Sequence, residues 1–345
     1  MAAFIAVQDD IQQRKERRPR IFRDRINPID YMTDIELIER YRIPRNKILE
    51  VVDMIKTSIE TPTFRSHAIP ALLQVLVSLR NYAKGTFYSE VGDLHGISRA
   101  SVSRCVMRVS HAIVRDIDNI KFPTTKAELS KIKKGFYNIA KVPNVIGAVD
   151  GTLIPIIAPK ENEPVYVCRK GYHSLNIQAV VDHEMRFTNL VAKFPGSVHD
   201  SFMFCNSELG YFFEETQVDG WLLGDSGYAL KGYLLTPKLN PSSPAEEKYN
   251  KAHAKTRTIV EQAFGVCKSR YRCLHKTGGC LPFTPERSAI VVTAVFKLHN
   301  KCIDDKLPLP DLIDEFIDNG DNHIVRDIAP ANVQTLRERI IQRFA

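Results

Sequence analysis

Val145-Ile-Gly-Ala-Val-Asp-Gly-Thr-Leu-Ile-Pro-Ile-Ile157 reads as a buried strand with one interruption. Its apolar and β-branched residues fill nearly every position, as in a strand covered on both faces. At its centre stands Asp150, followed by Gly151 and Thr152. A carboxylate inside such a strand costs free energy unless a partner meets it. Two further strand-like runs follow, Ser174–Asp182 and Arg186–Phe194, joined by His183-Glu184-Met185. His199–Glu215 reads as one helix. Trp221–Gly224 is a short apolar strand that runs into Asp225-Ser226-Gly227. A Pro/Ser-rich loop is expected over 237–250, then helices over Ala252–Leu274 and Arg287–Ile303. Three strands, a helix, a fourth strand and further helices predict an α/β fold layered around one mixed sheet.

The chain upstream of the sheet is helical in pattern. Thr33 or Asp34 is placed to cap Ile35–Tyr41, and Ile48, Val51, Val52 and Ile55 recur at helical spacing. Ala71–Ala83 is a strongly apolar helix. Tyr88–His95, the turn Gly96-Ile97-Ser98 and a Ser98-capped helix Arg99–Ile113 then form a helix-turn-helix-like pattern. Arg99, Ser101, Ser103 and Arg104 fall on its exposed side, and Val102, Val106 and Val109 on its inner side. Arg99 and Arg104 suit contacts with phosphates and guanine edges. The same pattern also fits a helical hairpin packed on a neighbouring domain. The expected division is a basic arm over 1–30, a helical region over 31–140 with this unit at about 70–115, a sheet domain over 141–305, and an acidic tail with a terminal helix, Val333–Phe344, over 306–345.

The 345 residues are 44% hydrophobic and 26% charged, which excludes long-range disorder. Apolar runs such as Ala289–Val292 fall far short of the ~20 residues that cross a bilayer, so no membrane partner is expected. Seven cysteines without a Cys-x-x-Cys pair read as free thiols, and the spacing of Cys267, Cys273, His275 and Cys280 matches no common zinc module. The formal net charge is +8. Seven basic side chains crowd residues 14–25, whereas 303–330 is acidic, so the body between them is basic and favours a polyanionic partner. Arg14–Arg20 reads equally as a nuclear import signal or as a solvated tail.

Three acids interrupt otherwise regular elements: Asp150, Asp225 and Glu261. Taken singly, each reads first as a cap, a turn residue or half of a salt bridge. If the strands at 145–157 and 221–224 are neighbours, Asp150 and Asp225 project from one end of the sheet. Adjacent carboxylates repel unless a cation lies between them, and hard oxygen donors select Mg²⁺ or Mn²⁺ over zinc. Two such ions clamp the attacking and leaving oxygens of a phosphodiester. Arg257 precedes Glu261 by four residues and Lys268 follows it by seven, a rotation of about 700°, so the three share a helix face. That face either holds a phosphate backbone beside the metals or makes ordinary ion pairs. Asp150-Gly-Thr is not a phosphatase nucleophile motif, because Ala148 stands where the nucleophilic Asp belongs. Ser197, His199 and Asp200 are too close in sequence to form a hydrolase triad by themselves.

The blocks Gly147-Ala-Val-Asp-Gly-Thr152, Arg169-Lys-Gly-Tyr-His-Ser-Leu-Asn176, Pro195-Gly-Ser-Val-His-Asp-Ser201, Leu223-Gly-Asp-Ser-Gly-Tyr228 and Arg257-Thr-Ile-Val-Glu-Gln-Ala-Phe264 carry a family resemblance. In this order they resemble the PIF/Harbinger transposases, and most of all the domesticated harbinger transposase-derived nucleases. The resemblance implies an RNase H-like sheet flanked by helices and a metal-dependent Asp-Asp-Glu triad. It carries that triad onto Asp150, Asp225 and Glu261, with 35 residues between the last two. Asp200 is either a further metal ligand or the cap of the helix that follows. The implied activity is DNA endonucleolysis with Mg²⁺ or Mn²⁺. Arg169, Lys170, His173, Arg257 and Lys268 are the expected phosphate contacts. The implied partners are DNA and a Myb/SANT-like DNA-binding protein, with assembly into an oligomer on DNA compatible with both. The implied location is the nucleus, with the cytoplasm as a second site. The alternative is a DNA-binding or scaffold protein that keeps the fold without the activity.

Overall fold

The computed structural model describes residues 27–60, 68–85, 87–312 and 329–345. The basic segment at 14–25 and the acidic stretch 313–328 lie outside the described residues. Among the described residues seven helices precede the sheet: α1 Pro28–Tyr31, α2 Asp34–Tyr41, α3 Arg45–Ile59, α4 Ala71–Lys84, α5 Tyr88–His95, α6 Arg99–Asp116 and α7 Lys126–Ala140. Thr33 caps α2 in a reciprocal box with Glu36, which satisfies two otherwise orphaned backbone donors. Gly96 closes α5 in the left-handed region (φ 63), and Ser98 accepts from the backbone N–H of Ser101 to start α6. Val102, Val106 and Val109 are buried, while Arg99 and Arg104 are exposed. The sequence pattern gave no assignment for α7, although Thr125 and Glu128 form a capping box there.

The sheet has the order β3-β2-β1-β4-β5, from β1 Val145–Pro155, β2 Ser174–Val181, β3 Phe187–Pro195, β4 Trp221–Leu223 and β5 Leu234–Leu235. β1–β2 and β2–β3 are antiparallel, and β1–β4 and β4–β5 are parallel. The sheet is therefore mixed, as expected. β5, two residues long, carries too little pattern to read from sequence. On the C-terminal side lie α10 Pro244–Arg270, α11 Pro285–Asp304 and α12 Ala331–Ile341.

Two helices depart from expectation. The stretch 199–215 is broken into α8 Asp200–Cys205 and α9 Glu208–Glu215. Ser207 caps α9 by accepting from the Gly210 N–H, and a Cβ on Gly210 would lie 2.1 Å from the Phe204 carbonyl. Glycine lets the second helix start directly against the end of the first. The Pro/Ser-rich loop ends at Ser243 rather than at 250, because Ser243, Pro244 and Glu246 form a capping box that starts α10 earlier. α10 then stops at Arg270, not at Leu274.

One face of the sheet and the helical region share an apolar core. Ala148, Ile177, Ala179 and Phe187 from the strands join Val260 and Phe264 of α10, Val292 and Phe296 of α11, and Val75, Val106 and Ile113 upstream. The other face packs Ile146, Val149 and Leu222 against Phe204 and Phe213 of α8 and α9. Asn300 fastens the layers: its side chain accepts from Phe187 N and donates to Phe187 O and Asn119 O, each at 2.8 Å. All seven cysteines are free thiols. No described helix is long and apolar enough to cross a membrane.

Candidate active site

The parallel register sets the site. Ala148 of β1 pairs with Leu223 of β4, so Asp150 and Asp225, two residues further on each chain, leave the sheet at the same end. That is the carboxyl end of a parallel pair, where open α/β sheets place their ligands. Asp150 accepts from the Gly151 N–H and Asp225 from the Gly227 N–H, both at 2.9 Å. Asp200 begins α8 and is held by Asn176, whose Nδ2 donates to Asp200 Oδ1 at 3.0 Å and to Val198 O at 2.8 Å. A Cβ on Gly151 would lie 2.2 Å from Asp200 Oδ1, so the bare glycine admits that carboxylate beside Asp150. Gln178 donates to the Asp200 carbonyl and to the Tyr228 hydroxyl, at 3.0 and 2.8 Å.

α10 brings in Glu261 and a cation. Arg257 donates through Nη1 to Asp150 Oδ2 at 2.8 Å and through Nη2 to Glu261 Oε1. One guanidinium thus joins two of the three expected acids. The Lys268 ammonium donates to the Leu153 carbonyl at 3.1 Å.

The electrostatics follow from burial and crowding. Burial pushes the Asp150 carboxyl up to about 8; Arg257 draws it back, and Asp225 and Asp200 push it further up. Asp200 rises to about 6, again by burial first, with Asn176 opposing and Asp225 assisting. Asp225 is raised by burial against the pull of Arg257. Burial opposes the Arg257 charge, but Asp150, Glu261 and Asp225 together hold its pKa above the ordinary value. The carboxyls push one another up, and Arg257 is the cation that bridges two of them.

These groups line one cleft of about 370 Å³. Asp150, Asp200, Asp225, Arg257, Glu261 and Lys268 face it together with Arg169 and Lys170. His173 does not line it; its imidazole pairs with Glu163. Arg99 and Arg104 stand on α6, away from the cleft lining. Lys276, His275 and Tyr172 line it without having been singled out from sequence as site residues. Tyr172 belongs to the Arg169–Asn176 motif, but nothing in the pattern of 271–279 marks Lys276.

Residues 149–300 match the family of DDE superfamily endonucleases. The chain is 39% identical over 274 residues to "Putative nuclease HARBI1" of Homo sapiens, covering 79% of this chain and 78% of that protein. To the Mus musculus protein of the same name it is 37% identical over 303 residues, covering 86% and 87%. "Protein ALP1-like" of Arabidopsis thaliana is 28% identical over 253 residues, covering 67% of this chain and 60% of that protein. No solved structure matches this chain. The chain belongs to the PIF/Harbinger transposase family within the DDE superfamily, and it is a nuclease-type protein of transposase descent.

Proposed function

We propose that this chain is a divalent-metal-dependent DNA endonuclease whose working acids are Asp150, Asp225 and Glu261. The observation that carries the reading is the convergence of these acids, with Asp200, on one cleft rimmed by Arg169 and Lys170. The donor set fits a hard cation: every acidic donor is a carboxylate, and soft ligands are lacking from the cleft's described lining. Arg257 already occupies the place between Asp150 and Glu261 where positive charge is needed. Among the described residues no three acid, His or Cys side chains are yet grouped closely enough to hold one ion. Binding therefore requires Arg257 to yield at least one of its two carboxylates.

Asp150, Asp225 and Glu261 would hold Mg²⁺ or Mn²⁺, which would supply Lewis-acid stabilisation to phosphodiester oxygens and lower the pKa of a bound water. The protein's own groups do the rest. Arg169 and Lys170 hold the scissile phosphate's neighbours by charge. Asn176 and Gln178 fix Asp200 in orientation from behind, and Asp200 assists the acids. Arg257, once released, would be free to meet a substrate phosphate by charge. The test is nicking of supercoiled plasmid DNA in Mg²⁺ or Mn²⁺. The wild type is expected to cut and Asp150→Ala to lose cutting; equal behaviour of the two overturns this reading.

α6 is the proposed second DNA contact, supported by the exposure of Arg99 and Arg104 over a buried valine row. Replacing both with alanine is expected to weaken binding and to lower its salt slope by up to about one unit per lost phosphate contact. An unchanged slope makes the helix a packing element. The measurement is made with and without a Myb/SANT-like partner, which the family assignment leads us to propose. Nuclear location is proposed on the basic run at 14–20, which lies outside the described residues.

A further inference from the structure

A second group of cations stands beside the cleft, on the helical region. Arg42 occupies the left-handed C-cap of α2 (φ 70), Arg80 and Lys84 lie on α4, and Arg272 lies just after α10. They crowd one another. Burial first, and then Arg272 and Arg80, hold Arg42 below its ordinary pKa. Burial first, and then Arg42, Arg80 and Arg272, do the same to Lys84. Among the described residues none of the four is in a salt bridge, and Arg42 Nε is buried without a hydrogen-bond partner. The acids whose fields reach them are Glu39 and Glu90. Arg270 beneath them is already engaged, donating to Arg42 O at 3.4 Å and Pro308 O at 2.7 Å. Cations that repel each other and lack carboxylate partners gain from a polyanion that displaces their counterions.

This group is joined rigidly to the cleft. A Cβ on Gly85 would lie 2.4 Å from Gly278 O, and one on Gly278 would lie 2.1 Å from Arg272 O and 3.2 Å from Lys84 O. The end of α4 therefore packs backbone to backbone on the turn that follows α10. His275 and Lys276 of that same turn line the cleft. Lys276 and Arg272 are both exposed, so the positive surface continues from the cleft onto α4.

We propose that Arg42, Arg80, Lys84 and Arg272 form a docking track for the sugar–phosphate backbone of duplex DNA, along which the substrate continues out of the cleft. This rests on the nuclease reading for the direction of the track, while the binding it predicts is separable from cutting. The track carries no base-reading geometry, so its contribution is independent of sequence.

The experiment measures binding of the full chain to a 30-base-pair duplex without divalent cations, between 50 and 200 mM salt. Lys84→Gln/Arg272→Gln is expected to bind about tenfold or more weakly at the lower salt, with a slope reduced by up to about two units. Its melting temperature should be unchanged or raised, because the substitutions relieve repulsion between cations. Unchanged affinity and slope overturn the track and leave the nuclease reading standing. Loss of plasmid nicking controls with the slope change intact overturns the nuclease reading alone. No DNA binding by the wild type overturns both.

Discussion

Ile146→Asp will unfold the protein. Ile146 is fully buried in β1, packed among Val149, Val180, Leu222 and Phe204. Gly220 comes so near that a Cβ there would lie 2.5 Å from Ile146 Cγ2. A carboxylate at 146 is set among apolar side chains, and the Lys133 ammonium on that side is already paired with Asp219. Burying it costs about 4–5 kcal/mol or more, which is comparable to the whole stability of an ordinary domain. Four residues on, Asp150 places a carboxyl in the same strand and is tolerated, because Arg257 and the Gly151 N–H meet it. Loss of the cooperative thermal transition checks the prediction, and a folded Ile146→Asp variant contradicts the packing described for this face.

Asp225→Asn should do the opposite. It keeps an oxygen to accept from the Gly227 N–H and removes a charge that raises the carboxyls of Asp150 and Asp200. The fold should persist. Burial raises the Asp225 pKa, so the folded state binds a proton that the unfolded state has released. Wild-type stability from this group therefore falls as pH rises above the ordinary carboxylate range. The stability difference in favour of Asp225→Asn should grow with pH over that window. Metal-dependent cleavage should nevertheless fall by roughly a thousandfold or more, since an acid of the working set is gone. Melting curves at several pH values and plasmid nicking check the two halves. A variant that cuts normally removes Asp225 from the site.

The strands at 145–155, 174–181 and 187–195 were legible because long β-branched runs leave little choice of element. The acids were legible because a charge inside such a run needs an explanation. Their convergence was conditional on β1 and β4 being neighbours, and strand order is a property of tertiary packing that no local pattern carries. The break between α8 and α9 was hidden because Phe202, Met203, Phe204, Phe212 and Phe213 continue a helical apolar pattern through Asn206 and Ser207. α7 went unassigned although its capping box stood in the sequence. The spacing of Arg257 and Glu261 on one helix face was readable. The reach of Arg257 to Asp150, across 107 positions of chain, was not. Neither was the contact of Gly85 with Gly278, which sets the cation group beside the cleft.

The central claim is that the carboxylates now joined by Arg257 are the metal site. Anomalous diffraction from crystals soaked in Mn²⁺ tests it most directly. The expected result is density within about 2.0–2.3 Å of oxygens from Asp150, Asp225 and Glu261, with the Arg257 guanidinium moved off at least one of its two carboxylates. Manganese bound elsewhere, or carboxylates that stay clasped to Arg257 at saturating Mn²⁺, would contradict the account.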